Sequence, residues 1–332
     1  MNLYFFSIIS SMAITFLSII LLRSIALNIK LTDRPGARKL HTGSVPLIGG
    51  IAMFLGVVLT IVLVADDYNY YKFFLLSSLA LVLIGALDDR FDISIFIRLL
   101  VQISVGTMII AGANLNIISF GNLFGAGEIL LNNWSYAITV LAIIAGINAV
   151  NMADGIHGLA GGNSLITFLT ILFLIREELN YQGFIIALTF CAALIIFLVH
   201  NLRLGLSEDK RIFMGDAGSM FLGLGIAWLL IDFSQGDDKA FRPSTALWIF
   251  AAPIFDLTLA IIRRLADGKS PFKPDVFHTH HLLLRMGIKD KKVLLIVFLF
   301  SIFMAVTGVI GELFDFPEWV MFNGFIMVFL VY

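Results

Sequence analysis

Long apolar runs alternate with short polar connections along the whole chain. A helix needs about 20 mostly apolar residues to cross a bilayer, and eleven runs approach that length: 3–25, 46–65, 72–88, 97–113, 134–150, 158–175, 182–200, 216–233, 244–262, 293–310 and 317–332. Runs of this length predict helices, because a buried strand rarely exceeds about 8 residues. The longest connection holds about thirty residues, too few for a soluble domain between spans. The expected architecture is therefore an all-α integral membrane protein of about eleven transmembrane helices, forming one domain over 1–332. The first run has no basic residue before Arg23 and no small-residue cleavage pattern. It reads as a retained helix with its N-terminus outside rather than as a signal peptide.

Composition agrees with this reading. Apolar residues make up 59% of the 332 and charged residues 14%, against about a quarter charged in soluble domains. Mean hydropathy is +0.98. A net charge of −1 gives no footprint for nucleic acid. The single cysteine, Cys191, can make neither an intrachain disulfide nor a multi-cysteine metal site. With the N-terminus outside, 18 of the 22 basic residues fall in cytoplasmic loops, as the positive-inside rule requires. One span more or fewer would mix the two sides.

The same orientation places the acids and histidines on the cytoplasmic side. DDRFD begins where the third run ends; Asp88 and Asp92 share a face if that helix continues. Adjacent Asp88 and Asp89 need a cation, or one of them must hold a proton; the alternative is a solvated acidic cap. In NMADGIHGLAGG, Asn148, Asn151 and Asp154 recur every three residues before a glycine-rich helix start. Such a start admits phosphate, although helix capping by Asp154 accounts for part of the pattern. Asp216 in MGDAGS, taken alone, reads first as a helix N-cap, and the other aspartates on the same side bring forward a metal-ligand role. Together these aspartates suit Mg²⁺, with Mn²⁺ as a substitute, since Mg²⁺ takes few carboxylates and keeps positions for water and phosphate. His278, His280 and His281 lie in the most basic loop, which fits an anionic substrate better than zinc. Asp256, inside the ninth run, is a functional candidate or a packing partner of Arg263.

In this order the motifs resemble those of the polyprenyl-phosphate N-acetylhexosamine-1-phosphate transferases, most closely the WecA-type undecaprenyl-phosphate GlcNAc-1-phosphate enzymes. The matching stretches are DRPGARKLHTGSVPLIGG, GALDDRFDISIFIR, INAVNMADGIHGLAGG, IFMGDAGS and RRLADGKSPFKPDVFHTHHLLLRMG, spanning residues 33–287. The resemblance implies an eleven-helix fold in a bacterial cytoplasmic (inner) membrane with the active site facing the cytoplasm. It implies transfer of a sugar 1-phosphate from a UDP-sugar to undecaprenyl phosphate, starting a cell-surface glycan such as an O-antigen. On this resemblance Asp88 and Asp89 are catalytic, and Asp216 and Asp154 hold the metal. Asn148, Asn151, His157, Arg98, His278, His280, His281 and Arg264 bind substrate, Arg98 near the pyrophosphate, while Asp33, Lys39 and Asp92 lie on the lipid-phosphate side. The HTHH block favours UDP-GlcNAc over a peptide-bearing sugar. One position departs: His157 makes DGIHG where relatives have DGIDG. Another UDP-HexNAc (GalNAc or a 6-deoxy sugar) remains the alternative within the class, and a transporter or lipid flippase the alternative outside it. A homodimer is compatible with either.

Overall fold

The structure is a computed structural model that describes residues 3–33, 44–66, 68–175, 181–207, 210–271 and 277–332. Each apolar run is helical. In chain order the helices are α1 (Leu3–Ile29), α2 (Gly49–Val64), α3 (Tyr68–Phe91), α4 (Ile95–Ala113), α5 (Ser135–Ala153), α6 (Leu159–Leu174), α7 (Tyr181–Asn201), α8 (Gly215–Ser234), α9 (Pro243–Ile249), α10 (Ala251–Ala266), α11 (Thr279–Arg285), α12 (Asp290–Leu313) and α13 (Glu318–Val331). Among the described residues the only sheet is a two-residue antiparallel pair, β1 (Thr32–Asp33) with β2 (Val45–Pro46). Among the described residues seven helices are long and apolar enough to cross a membrane, and the bent pair α9–α10 brings the number to eight. The other three apolar helices, α2, α6 and α13, have only 16, 16 and 14 residues. At 1.5 Å per residue they fall short of a hydrocarbon core about 30 Å thick.

The ninth run is broken, contrary to the continuous helix expected over 244–262. α9 and α10 meet at 85° around Phe250. Pro253 lacks the N–H that would bond back into α9, and the carbonyl of Ile249 instead accepts from the Thr167 hydroxyl at 3.4 Å.

α8 is the centre of the bundle, with 89% of its apolar window buried. It packs against α2, α3 and α5, while α1, α4 and α12, each 28% buried, lie outside. The outer helices turn large apolar side chains outward, for example Leu21, Phe96 and Leu299. That is the arrangement a lipid solvent selects. Between apolar helices in lipid, close backbone approach replaces the hydrophobic drive, and small residues supply it. A side chain on Gly85 of α3 would meet the backbone of Ala217 in α8.

The strand-like approach to α8 is tied down by backbone bonds. Phe213 N–H donates to Pro46 O, Gly49 N–H to Phe213 O, and Gly50 N–H to Met214 O, each at 2.9 Å. β2, the start of α2 and the start of α8 therefore form one unit. Replacing Gly85 with Leu is expected to push α3 off α8, costing about 1–3 kcal/mol. A melting temperature in detergent several degrees below wild type checks this, and an unchanged one would contradict the packing.

Candidate active site

The ends of α3, α5 and α7 and the beginnings of α8 and α12 meet at one end of the bundle around a cavity of about 960 Å³. Among the described residues seven aspartates line it: Asp33, Asp88, Asp89, Asp92, Asp154, Asp216 and Asp290. Asn151, His157 and His281 line it too. Four of the motif blocks expected to act together therefore share one space.

The aspartates are not equivalent. Asp89 reaches from α3 to the N-terminus of α8, accepting from Asp216 N–H at 2.9 Å and Ala217 N–H at 3.4 Å. The approach is close because Gly215 adopts φ +72°, where an added Cβ would strike the Asp89 carboxylate. A carboxylate at a helix N-terminus satisfies free N–H groups and meets the positive end of the dipole. Asp88 is buried and bonded to Arg98 Nη1 at 2.7 Å. The same Nη1 lies 3.2 Å from Asp216 Oδ2, whose carboxylate also accepts from Asn151 Nδ2 at 2.8 Å. Asp216 nevertheless keeps a third of its side chain exposed.

Asp154 has no side-chain hydrogen bond or ion pair among the described residues. Its carboxyl group opens into the cavity and water can reach it, yet protein encloses it on the other sides. This enclosure, and then the nearby Asp216 carboxylate, push its pKa up to about 7.

Several expectations need correction. α3 does not continue through Asp92. That residue turns into the left-handed region (φ +54°), with its N–H bonded to Asp88 O at 2.8 Å, so the helix stops there. Asp154 is the C-cap of α5, not an N-cap of α6, where Gly158 stands. Asp216 lies in the first turn of α8 and Met214 is its N-cap. Asn148 faces away from the cavity, donating to Gln102 Oε1 and Ile144 O at 2.8 Å. Arg98 does not line the cavity but joins Asp88 to Asp216 behind it. Arg264 is buried and donates to Pro271 O at 2.6 Å. Lys39 lies outside the described residues.

The histidines divide as well. Of the three HTHH histidines, His281 alone faces the large cavity, which His157 also lines. Asp256 does not pair with Arg263; it holds the HTHH turn, accepting from Thr279 N–H and Oγ1 at 2.8 Å, with His278 Nδ1 at 3.2 Å. Arg263 donates to Phe277 O instead. His280 is buried against Gly155, where any side chain would collide with its ring. Burial, then the neighbouring His281, hold its pKa down at about 4. His157 stacks on Phe213 at 4.9 Å and lies 3.4 Å from Arg211 Nη1.

Sequence reasoning missed Asn201, Phe213, Asp290 and Arg90 in the cavity wall. Asn201 donates to Ile212 O at 2.8 Å while its Oδ1 is buried without a partner. Its polar side chain at the close of an apolar run was the available signal.

The donor set fits a divalent cation held partly by substrate. Among the described residues, no three His, Cys, Asp or Glu side chains stand close enough to hold an ion by themselves. Asp88 and Asp89 are already engaged, whereas Asp154 and the open edge of Asp216 are mutually repelling oxygens beside a void. Two carboxylates with room for water and phosphate oxygens is the pattern Mg²⁺ prefers.

Fold and cavity together define a multi-pass membrane protein with an acidic site at one end of its helices. A family model, Glycosyl transferase family 4, matches residues 71–234, which run from the first turn of α3 to the end of α8 and include Asp88, Asp89, Asp154 and Asp216. A Yersinia pestis protein named undecaprenyl-phosphate alpha-N-acetylglucosaminyl 1-phosphate transferase is 40% identical over 97% of this chain and 87% of its own length. Proteins of the same name from Escherichia coli O157:H7 (38%; 98% of this chain, 89% of theirs) and Haemophilus influenzae (37%; 96% and 89%) are also similar. The chain belongs to this family of polyprenyl-phosphate N-acetylhexosamine-1-phosphate transferases.

Two outcomes follow from the unequal environments. Without metal, Asp154→Asn should raise the melting temperature by relieving repulsion, whereas Asp89→Ala should lose about 1 kcal/mol or more as a cap is removed; equal effects would show that the two are not distinguished. His280 has a folded pKa (about 4) below its ordinary 6.5, so its contribution to stability is present above about pH 6.5 and is lost as pH falls toward 4. Melts between pH 7 and 4.5 should show this loss reduced in His280→Leu, and an identical pH slope would clear His280.

Proposed function

We propose that this protein transfers N-acetylglucosamine 1-phosphate from UDP-GlcNAc to undecaprenyl phosphate, forming undecaprenyl-diphosphate-GlcNAc and releasing UMP. The observation that carries the reading is the placing of Asp88, Asp89, Asp154 and Asp216 around one cavity, in a chain akin throughout its length to enzymes named for that transfer. All residues 1–332 act as one domain. Its eleven apolar segments span a bacterial inner membrane with the N-terminus outside, the short helices by local thinning of the bilayer and snorkelling of flanking residues, so that the cavity faces the cytoplasm and its nucleotide sugars. The polar groups lie at helix ends on one side, which disfavours a transporter with a midplane site.

A phosphate oxygen of the lipid attacks the β-phosphorus of the UDP-sugar, which carries the sugar. The bond from that phosphorus to the bridging oxygen breaks, and UMP leaves with the electron pair. A phosphate monoester has a second pKa of about 6, so the nucleophile is largely dianionic at neutral pH and needs no strong base. The protein's task is positioning and screening of charge. Asp216 and Asp154 would hold a divalent cation, Mg²⁺ with Mn²⁺ as substitute. When bound, the ion neutralises charge on the diphosphate. Arg98 and Asn151 orient the Asp216 carboxylate, and Asp89 sets the start of α8 against α3. Asp88, locked to Arg98, acts as a positioning group. His281, His157 and Asn151 contact the donor; Asp33 and Asp92 border the acceptor side.

His157 favours a second reading. Its imidazole, stacked on Phe213, replaces a carboxylate of relatives, and a changed donor wall suits another UDP-HexNAc such as UDP-GalNAc.

With purified protein, turnover of UDP-GlcNAc should require Mg²⁺ or Mn²⁺, and Asp216→Asn should lower kcat by about 100-fold or more, the scale of a lost electrostatic stabiliser. Full activity in that variant would remove Asp216 from the mechanism. Stronger competition by UDP-GalNAc than by UDP-GlcNAc itself would select the second reading.

A further inference from the structure

The aspartate cavity must admit two anions, yet among the described residues only one lysine or arginine lines it. That residue is Arg90. Arg90 belongs to α3, whose Leu76, Leu79, Leu83 and Leu87 are 42–55% exposed. Spacings of three and four place these leucines on one helix face. This face is turned to lipid, and Arg90, three residues beyond Leu87 and also exposed, ends it. The same side chain therefore closes a lipid-facing stripe and forms part of the cavity wall.

The guanidinium is held where it stands. Its Nε donates to Ile29 O at the end of α1, at 2.9 Å, and its plane lies 5.2 Å from the ring centroid of Phe91. Ile29 and Phe91 are themselves exposed apolar residues, at 53% and 66%. No ion pair to either terminal nitrogen of Arg90 occurs among the described residues. A planar fork with a fixed stem and free outer N–H groups suits a phosphate better than a mobile ammonium would. An apolar chain lying along α3 would deliver its headgroup to this point. A soluble nucleotide sugar has no need of a route through the lipid face.

We infer that Arg90 receives the phosphate of the membrane-held acceptor, at a mouth where the lipid-facing stripe of α3 runs into the aspartate cavity. The inference rests on the proposed transfer reaction for the acceptor's identity. It separates acceptor from donor: Arg90 offsets the repulsion a lipid phosphate meets on approaching the aspartates, while the donor depends on His157 and His281. The competing use of Arg90 is a general interfacial anchor for phospholipid headgroups.

The test uses the full-length protein in zwitterionic nanodiscs. Arg90→Ala should raise the KM for polyprenyl phosphate roughly tenfold or more, as expected for a lost charged hydrogen bond, while the KM for UDP-GlcNAc stays within about twofold. Arg90→Lys should recover part of the loss. Independently of turnover, polyprenyl phosphate should raise the melting temperature of the wild type, neither polyprenol nor inorganic phosphate should match it, and Arg90→Ala should abolish the shift. An equal shift with phosphatidylglycerol would make Arg90 an interfacial anchor and overturn the assignment. A rise in the UDP-GlcNAc KM instead would move Arg90 to the donor and also overturn it. Wild-type protein without turnover on UDP-GlcNAc would count against the proposed reaction, while the melting shifts would still decide the role of Arg90.

Discussion

The carboxylate of Asp89 against the start of α8 holds the site together. It joins the end of one helix to the beginning of the most buried one, and it does so by taking up N–H groups that have no partner within α8. Gly85 permits the helices to approach, and Gly215, with its positive φ, permits the carboxylate to reach the backbone. Once α3 and α8 are locked in this way, Asp88 and Asp216 are close enough for one guanidinium, Arg98, to bridge them. The geometry of the remaining acid groups follows from that lock.

Charge in the cavity is distributed unevenly. Two aspartates are bonded by the protein itself, Asp89 by a helix N-terminus and Asp88 by an arginine. Asp154 is left without a side-chain bond among the described residues, and its enclosure and the nearby Asp216 carboxylate raise its pKa to about 7. A site prepared in this manner trades some stability for binding.

The histidine block shows how a motif can divide its work. His278 and Thr279 are fastened to Asp256 in α10, and His280 is pressed against the backbone at Gly155. His281 alone is presented to the large cavity. The 85° break between α9 and α10 turns α10 along a different line from α9, and through Asp256 the position of α10 reaches the site.

By itself the sequence determined the class of solvent, the helical segments and most of the motifs that meet at the cavity. These follow from hydropathy, from the asymmetry of Lys and Arg, and from ordered local patterns, all of which are properties of short stretches of chain. It did not determine the break at Phe250, the end of α3 before Asp92, or the choice of His281 over His278 and His280. Nor did it reveal that Asn148 turns to Gln102, that Asp89 is a helix cap, or that Arg90, Asn201 and Phe213 enter the cavity wall. Those outcomes depend on which neighbour each side chain meets across the bundle, and such neighbours are brought together only by packing between helices distant in sequence.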